Sequence, residues 1–528
     1  MAITDDLLRP DAYPQATRRV SLRTTHASWV FLTDGEAWKV KRPVDLGFLD
    51  FRTVEGRRRA CEDEVRLNRR LAPGVSVYLG VQPVHATPGG LSLRDGGPVV
   101  DWAVRMRRLP DEASAAALLQ GGRLGPAQLA ALAGKLADFL RAARPAPALG
   151  APEVLRGNVD ENFAQVEPFV GGVVARATAA DVRAFQLDAL VARRDRFAAR
   201  VAEGRIREGH GDLRLEHVYF LPPPDGVVAI DCIEFNERFR CGDAAGEAAF
   251  LAMELEAARR PDLAAGFLAR FAEASDDFGL YGVVDFYLSY RAWVRGKVAA
   301  FLAADPAADA ALRARKRDEA RRRFALARAF LGVPTDTPFV IAVGGTIGSG
   351  KSTIAAALGE ALAAPVVGSD RTRKAIAGLA PTERGGPALY SGAAIERNYA
   401  EVLRRARQVV GSGRGVILDA TFSERRRREE AAEMAEAAGA RFVHVETVCR
   451  DRGVLRARLA ARRGTASVSD ATDAELDEVL LRHEPVRPDE RGTHVAIDTG
   501  GEPQAARAAA LQALARAGVV AAEARRAS

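Results

Sequence analysis

Two short stretches of this 528-residue chain hold residue types at spacings that suit phosphoryl chemistry. The first is Gly345-Thr346-Ile347-Gly348-Ser349-Gly350-Lys351-Ser352, followed by Thr353, and it fits the pattern G-x-x-x-x-G-K-[ST]. It lies directly after the apolar run Phe339 to Val343 and opens an Ala-rich helical run. In such a layout successive backbone N–H groups and the positive end of a helix cradle phosphate oxygens. Lys351 then reaches the β and γ phosphates of ATP, and Ser352 ligates Mg²⁺. ATP and Mg²⁺ are therefore the expected cofactors of this loop.

The second stretch, His210 to His217, reads H-G-D-L-R-L-E-H, and Asp231 closes the apolar run Val227 to Ile230 nineteen residues after Asp212. A two-lobed phosphotransferase needs one Asp to receive the proton of an acceptor hydroxyl, a metal ligand a few residues on, and a strand-end Asp for the bridging metal. Asp212 and Asp231 fit the first and third roles. The partners expected upstream are a Lys on a strand and a Glu on the next helix. Lys39 and Lys41 stand two apart in EAWKVK, so they share one side of a strand and spacing does not rank them. Glu64 is the first choice for the helix partner and Glu62 the second.

Further candidates follow the phosphate loop. Asp370, in the run Gly368-Ser369-Asp370, can steer an acceptor hydroxyl, with Arg373 and Lys374 one helical turn later; Ser369 and Asp370 also suit a plain helix cap. Asp419 ends GVILD and suits a carboxylate that holds the metal, or else a strand-end turn. Arg456, Arg458, Arg462 and Arg463 lie on a helical run where a lid could bring a guanidinium to the phosphoryl group, and Arg462 and Arg463 are preferred.

Two kinds of region must position these groups. All four tryptophans (Trp29, Trp38, Trp102, Trp293) precede residue 300, while the last 190 residues or so alternate β-rich runs with Ala/Arg-rich helical runs. The seam is the Pro/Gly-containing LGVPTDTP, so residues 1–331 and 339–528 are expected to form two domains with 332–338 as linker. In the first, Ser28 to Thr33 and Glu36 to Lys41 flank the turn Asp34-Gly35, a strong hairpin signal. A helix at Glu55 to Leu71, strands at Val77 to Val84 and Val99 to Met106, and then mainly helices follow, with a strand at Val227 to Asp231. The order predicts an α+β fold of a small β-rich lobe and a large helical lobe. The second reads β, Gly-rich turn, α, then further βα units with strands at Phe339 to Val343, Pro365 to Val367, Gly415 to Leu418, Arg441 to Val448 and His494 to Ile497. That alternation predicts an α/β fold on a parallel sheet.

GGTIGSGKST, GSDRTRK, GVILDATF and RARLAARRG with SDA at Ser469 to Ala471 resemble the P-loop kinases that include zeta toxins, gluconate kinase and polynucleotide kinase, over about Thr337 to Gly518. The resemblance implies phosphoryl transfer from ATP to a hydroxyl. KVKRPVDLGFLDF, LNRRLAPGVSVYLGV, HGDLRLEHVYF, IDCIEFN and YRAWVRGK resemble the aminoglycoside phosphotransferase family, over about Ser21 to Ala327. That likeness implies a protein-kinase-like fold, ATP, Mg²⁺, Asp212 as catalytic base and Asp231 as metal ligand. The chain departs from this pattern twice. The second-metal ligand expected to be Asn is His217, and imidazole favours softer metals than Mg²⁺. The segment SLRTTHASW has no glycine to let backbone close over phosphates. An acidic pocket for an aminoglycoside would need groups such as Asp243 and Glu247, which could equally face solvent.

Composition sets the outer bounds. Lys and Arg number 76 against 69 Asp and Glu, a dilute surplus of seven that does not call for nucleic acid. Only seven of the bases are Lys, so each is worth placing. No run approaches the roughly 18 apolar residues of a membrane span, the start has no secretory pattern, and the four cysteines form no CxxC pair. A cytoplasmic enzyme with a nucleotide and a small hydroxyl-bearing substrate as partners is expected, fused from two kinase-like domains. Two alternatives remain: a P-loop ATPase or toxin-like regulator beside a degenerate kinase-like binding domain, and a polynucleotide-end kinase suggested by Arg425 to Arg428.

Overall fold

The computed structural model describes residues 3–519 other than 26, 46, 48, 73–76, 307, 333–336 and 462–467. The chain forms two compact units, residues 1–158 with 197–255 and residues 159–196 with 256–528.

In the first unit, β1 (Ser21–Thr24), β2 (Ser28–Leu32), β3 (Glu36–Lys41), β4 (Tyr78–Thr87), β5 (Gly90–Ser92) and β6 (Val99–Arg107) make one antiparallel sheet in the order β1-β2-β3-β6-β4-β5. The β2–β3 hairpin turns at Asp34-Gly35, where the Thr33 hydroxyl accepts the Glu36 N–H at 3.0 Å. Alternation along β3 sorts its residues between two cores. Trp38 and Val40 pack with Leu7, Tyr13, Phe31 and Ala103, while Ala37 packs with Cys61 and Val65 of the helix Val54–Asn68. Lys39 and Lys41 share the Ala37 side and so face that helix. Thr53 caps it, its side chain accepting from Gly56 N–H.

Two small antiparallel pairs carry the loop residues: β7 (Ile206–Glu208) with β10 (Cys241–Asp243), and β8 (Val218–Phe220) with β9 (Val227–Ala229). The strand expected over Val227 to Asp231 stops at Ala229. Asp231 has φ +67°, a left-handed conformation that a strand cannot hold.

In the second unit β11 (Phe339–Gly344), β12 (Val366–Gly368), β13 (Val416–Asp419), β14 (Arg441–Val448) and β15 (Thr493–Asp498) form a parallel sheet in the order β12-β13-β11-β14-β15. Both faces are covered, so Ile341, Val343, Ile417, Val443 and Val445 are buried with Ile354, Leu358 and Leu514 of flanking helices. Both expected architectures, α+β on an antiparallel sheet and α/β on a parallel one, are therefore present.

The compact units cut the chain elsewhere than the Pro/Gly seam, of which residues 333–336 lie outside the described residues. Charged groups join helices after residue 256 to the part of that unit that holds the parallel sheet. The Glu273 carboxylate accepts Val366 N–H at 2.8 Å, and Arg405 grips Asp276 through two bonds of 2.6 and 2.8 Å. Among the described residues no helix is long and apolar enough to cross a membrane.

Candidate functional site

A row of alternating charges runs between β3 and the loop after β9. The Lys39 ammonium lies 2.9 Å from Glu64 Oε1 and 2.5 Å from Asp231 Oδ1. Lys41 binds the other Glu64 oxygen at 2.5 Å and pairs with Glu234. The two lysines that spacing left unranked thus differ: Lys39 faces Asp231, whereas Lys41 is 1% exposed and faces away from it toward Glu234. Glu62 points elsewhere and pairs with Arg58 at 2.9 Å. Burial alone would raise the Asp231 carboxyl, but the Lys39 ammonium and then His217 hold it well below the usual carboxylate range. For Lys39 burial works against the charge, and Asp231 and Glu64 reverse this, raising it well above an ordinary lysine.

Asp231 owes its odd backbone to a web of bonds. Its N–H donates to the Tyr78 hydroxyl at 3.1 Å, and the next N–H, of Cys232, donates to Asn68 Oδ1 at 2.9 Å. Asn68 also donates to the Glu64 carbonyl at 2.8 Å, so it ties the helix to the loop after β9.

The His210 loop is braced from two sides. His210 Nε2–H donates to Ile230 O at 2.9 Å, and its Nδ1 accepts Asp212 N–H at 3.3 Å. Glu247 accepts the N–H groups of His210 (3.3 Å) and Gly211 (3.0 Å). A Cβ on Gly211, at φ +86°, would lie 2.8 Å from the Phe239 carbonyl, so only glycine fits. His217 Nδ1–H donates to Asp212 O at 2.9 Å, and its Nε2 lies 3.6 Å from Asp231 Oδ2. Asp212, His217, Asp231 and Lys39 are thus gathered in one place. Neither Asp243 nor Glu247 contributes an acidic pocket: Asp243 is locked to Arg200 by two 2.6 Å bonds, and Glu247 is spent on the loop.

Burial, helped by the His217 ring, pushes His210 down to about 4, so it is neutral in the fold. Burial and then His494 push His444, beside Gly344 at the end of β11, down to about 3. Unfolded histidines titrate near 6.5, so below that pH the unfolded chain binds the extra protons and stability is lost as pH falls toward 4. Each ring is expected to cost about 2 kcal/mol between pH 7 and pH 5. Urea melts at these pH values check this, and an unchanged midpoint would mean that both rings charge freely in the fold.

The phosphate loop sits between β11 and the helix Lys351–Ala361. Gly345, Gly348 and Gly350 have φ of +133°, +77° and +90°. A Cβ on Gly345 would come within 2.4 Å of Thr447 Oγ1, which also bonds Ser349 Oγ at 2.7 Å and Gly344 O at 2.8 Å. Lys351 Nζ donates to Thr346 O at 2.8 Å, and Ile347 packs against Leu455 and Leu459. Thr346 Oγ1 is buried without a hydrogen-bond partner. Ser352 and Thr353 are exposed on the first turn of the helix. This donor set fits a triphosphate: a glycine cradle too tight for side chains, an ammonium folded onto its own loop, and an orphaned hydroxyl. Asp419 ends β13 opposite Val343, at the strand end from which the loop springs.

Asp370 lies in the first turn of the helix Ser369–Ile376, and Arg373 binds it at 2.5 Å while stacking 4.7 Å from the Tyr390 ring. Tyr390 donates to Asp470 Oδ2 at 3.0 Å, and buried Lys374 binds Asp470 Oδ1 at 3.0 Å. Arg462 and Arg463 lie outside the described residues. Arg458 of the same run donates to Thr499 O at 2.6 Å and to Gly348 O at 3.5 Å. The basic run Arg425 to Arg428 offers no free patch. Arg425 binds Asp489 at 3.0 Å, Arg426 and Arg427 share Glu396, and Arg428 is buried on Glu490 at 2.7 Å.

Sequence reasoning missed Tyr78, Asn68, Glu234, Tyr390 and Asp470, and gave Glu247 a pocket role where it braces the His210 loop. A usable signal existed for Glu234 alone, because two lysines on one buried strand face need a second carboxylate and IDCIEFN supplies one three residues after Asp231.

A family model described as AAA domain matches residues 340–486. The solved structure of a choline/ethanolamine kinase family protein from Mesorhizobium loti aligns over 63% of this chain and 96% of its own, at 14% identity and a TM-score of 0.38. That of a gluconokinase from Sinorhizobium meliloti 1021 aligns over 34% and 93%, at 25% identity and a TM-score of 0.26. Uncharacterized proteins of Mycobacterium tuberculosis and Mycobacterium bovis are 34% identical over 501 residues, 93% of this chain and 95% of theirs. The chain therefore belongs to one family with these mycobacterial proteins.

Proposed function

We propose that this protein binds ATP at two sites and moves its γ-phosphoryl group to a hydroxyl of a small molecule, with residues 1–331 and 339–528 as the two functional domains. The observation that carries the reading is the Lys39 ammonium held between Glu64 and Asp231 beside the Asp212 loop, because phosphoryl transfer rests on positioned charge more than on covalent chemistry. ATP bound with a divalent ion would supply the transferable group. At the first site Asp212 accepts the proton of the acceptor hydroxyl at its carboxylate, Lys39 holds phosphate oxygens, Glu64 keeps Lys39 extended and Asp231 holds the metal. At the second, Gly345 to Thr353 hold the phosphates, Lys351 neutralises the outer ones, and Ser352 and Asp419 hold Mg²⁺. There Asp370 orients the hydroxyl and Arg373, with Arg462 and Arg463, faces the developing charge. A cytoplasmic location agrees with four buried cysteines that are all free.

The paired state of Arg425 to Arg428 speaks against a polynucleotide-end kinase. His217 and the glycine-free turn between β1 and β2 are the features that favour a degenerate first half. A screen of sugars, aminoglycosides, nucleosides and RNA ends with labelled ATP decides among these. The full-length protein should label one small-molecule class, and either Asp212→Asn or Asp370→Asn should cut that labelling by ~10²–10⁴-fold. Labelling of RNA ends alone, or of nothing while ATP is hydrolysed, would sink the small-molecule reading.

A further inference from the structure

The two metal positions of the first site are unequal. Asp231 presents a carboxylate, which suits Mg²⁺, but the second position presents the imidazole of His217, and Mg²⁺ takes oxygen ligands and keeps its waters. His217 therefore does not fit the ion that the rest of the site calls for. From this disagreement we propose that the first nucleotide site is built for a manganese-class divalent ion bound by His217 Nε2 together with Asp231 Oδ2. The proposal rests on the reading that this site binds nucleotide.

Four observations carry it. First, the Nδ1–H of His217 donates to the Asp212 carbonyl at 2.9 Å, which orients the ring so that Nε2 is the nitrogen on the Asp231 side. A carbonyl on the far nitrogen is also how metal-ligating histidines are oriented. Second, His217 is only 8% exposed, and two carboxylate oxygens, Asp231 Oδ2 and Glu216 Oε1, lie 3.6 and 3.7 Å from its Nε2. Those separations are too long for hydrogen bonds. Two neighbouring ligands on an octahedral ion with bonds near 2.1 Å stand roughly 3 Å apart, so a closing shift of about half an ångström brings His217 Nε2 and Asp231 Oδ2 onto one ion.

Third, the two ligands are held at that separation by backbone. Ile230 N–H donates to the His217 carbonyl at 2.9 Å, and the Ile230 carbonyl accepts His210 Nε2–H at 2.9 Å, so the loop and the residue before Asp231 are laced in both directions. Lys39 occupies Asp231 Oδ1, which leaves Oδ2 as the oxygen on the His217 side. Glu216 is drawn off by Arg214 and is the weaker third ligand. Fourth, among the described residues no three His, Cys, Asp or Glu side chains are gathered closely enough to hold an ion by themselves. The remaining positions must then come from phosphate oxygens and water, as they do wherever a nucleotide carries its metal into the site. Tight metal binding here is thus conditional on nucleotide. Imidazole with one carboxylate and phosphate oxygens favours Mn²⁺ and its later neighbours over Mg²⁺, both by ligand softness and by the rise in affinity along the first-row divalent ions.

The test uses the full-length chain carrying Lys351→Ala, so that the phosphate loop of the second half is silenced, with Mn²⁺ and a non-hydrolysable ATP analogue. Free Mn²⁺ is counted by its electron paramagnetic resonance signal, and pulsed measurements on the bound ion read directly bonded nitrogen. Expected are about one Mn²⁺ per chain only when nucleotide is present, and a nitrogen coupling that changes when histidine is supplied as its heavy isotope. Mg²⁺ should compete at least about tenfold more weakly. His217→Asn should keep the Mn²⁺-nucleotide bound, lose the nitrogen coupling and narrow the preference over Mg²⁺. The isotope comparison needs no mutation, so it stands even if that variant folds poorly. Bound Mn²⁺-nucleotide without nitrogen coupling, or coupling that survives His217→Asn, would overturn the metal assignment and leave His217 as a support of the Asp212 loop. Absence of any Mn²⁺-nucleotide binding would overturn the nucleotide site itself and the assignment with it.

Discussion

Alanine at Lys351 is expected to take calorimetric MgATP binding by the full-length protein from about two equivalents to one, and to lower turnover at the second site by ~10³-fold. The ammonium is now folded onto the Thr346 carbonyl at 2.8 Å, inside the cradle formed by Gly345, Gly348 and Gly350. A phosphate entering that cradle replaces a carbonyl dipole with a full negative charge as the partner of Nζ, and hydrogen bonds between charged groups contribute about 1.5–3 kcal/mol each. The gain is larger in the transition state, where charge builds on the same oxygens. The fold should tolerate the change, because the loop keeps Thr447 and Thr499, whose hydroxyls bond Ser349 at 2.7 and 2.6 Å, when the Lys351 bond to Thr346 is lost. Thermal unfolding therefore serves as the control. Two equivalents with unchanged affinity in a normally melting variant would mean that phosphates do not sit in this loop.

What could be read from the sequence is what short-range order determines. The parallel strands, the Asp34-Gly35 hairpin and the glycine-rich loop each depend on residues within about ten positions of one another, so hydrophobic period and turn chemistry expose them. The β11 strand, for instance, was bounded within a residue because an apolar run leads straight into Gly344-Gly345. Side-chain partners are another matter. Lys39 is chosen over Lys41 by Asp231, 192 positions away, and no local pattern carries that information. The same holds for Glu247, whose bonds to the His210 loop turn a candidate substrate contact into a support. Asp231 shows the conflict directly: Val227 to Ile230 reads as a strand that should run on to its aspartate. Tertiary bonds from Tyr78 and Asn68 instead hold the chain in a left-handed bend that aims the carboxylate. The seam between the halves is likewise a change in composition, and a pair such as Arg405–Asp276, 129 positions apart, leaves no mark in composition.

Replacing Lys41 by methionine is expected to destabilise the fold by about 3–5 kcal/mol, whereas the same change at Lys39 should cost far less stability and abolish phosphoryl transfer at the first site. Each lysine shares Glu64, so Glu64 keeps one cation in either variant. The second partners decide the difference. Asp231 is 43% exposed and can be solvated when Lys39 is gone, but the Glu234 side chain is 6% exposed and would be left as a buried charge without its ammonium. Burial already raises Glu234 above an ordinary carboxyl despite Lys41, so in the variant it is driven further toward the protonated form. A carboxyl raised in the fold binds more protons there than in the unfolded chain, so the fold gains relative stability in acid and loses it as pH climbs through the raised value. The Lys41→Met penalty should accordingly be larger at pH 8 than at pH 5. Adding Glu234→Gln removes the stranded charge and should recover at least ~1–2 kcal/mol at pH 8 as a coupling energy. Urea melts of the two single variants and the double variant at both pH values measure all three quantities. Equal, pH-independent losses for Lys39→Met and Lys41→Met would mean that the two lysines are interchangeable, and that the division between one facing phosphate and one holding Glu64 in place is wrong.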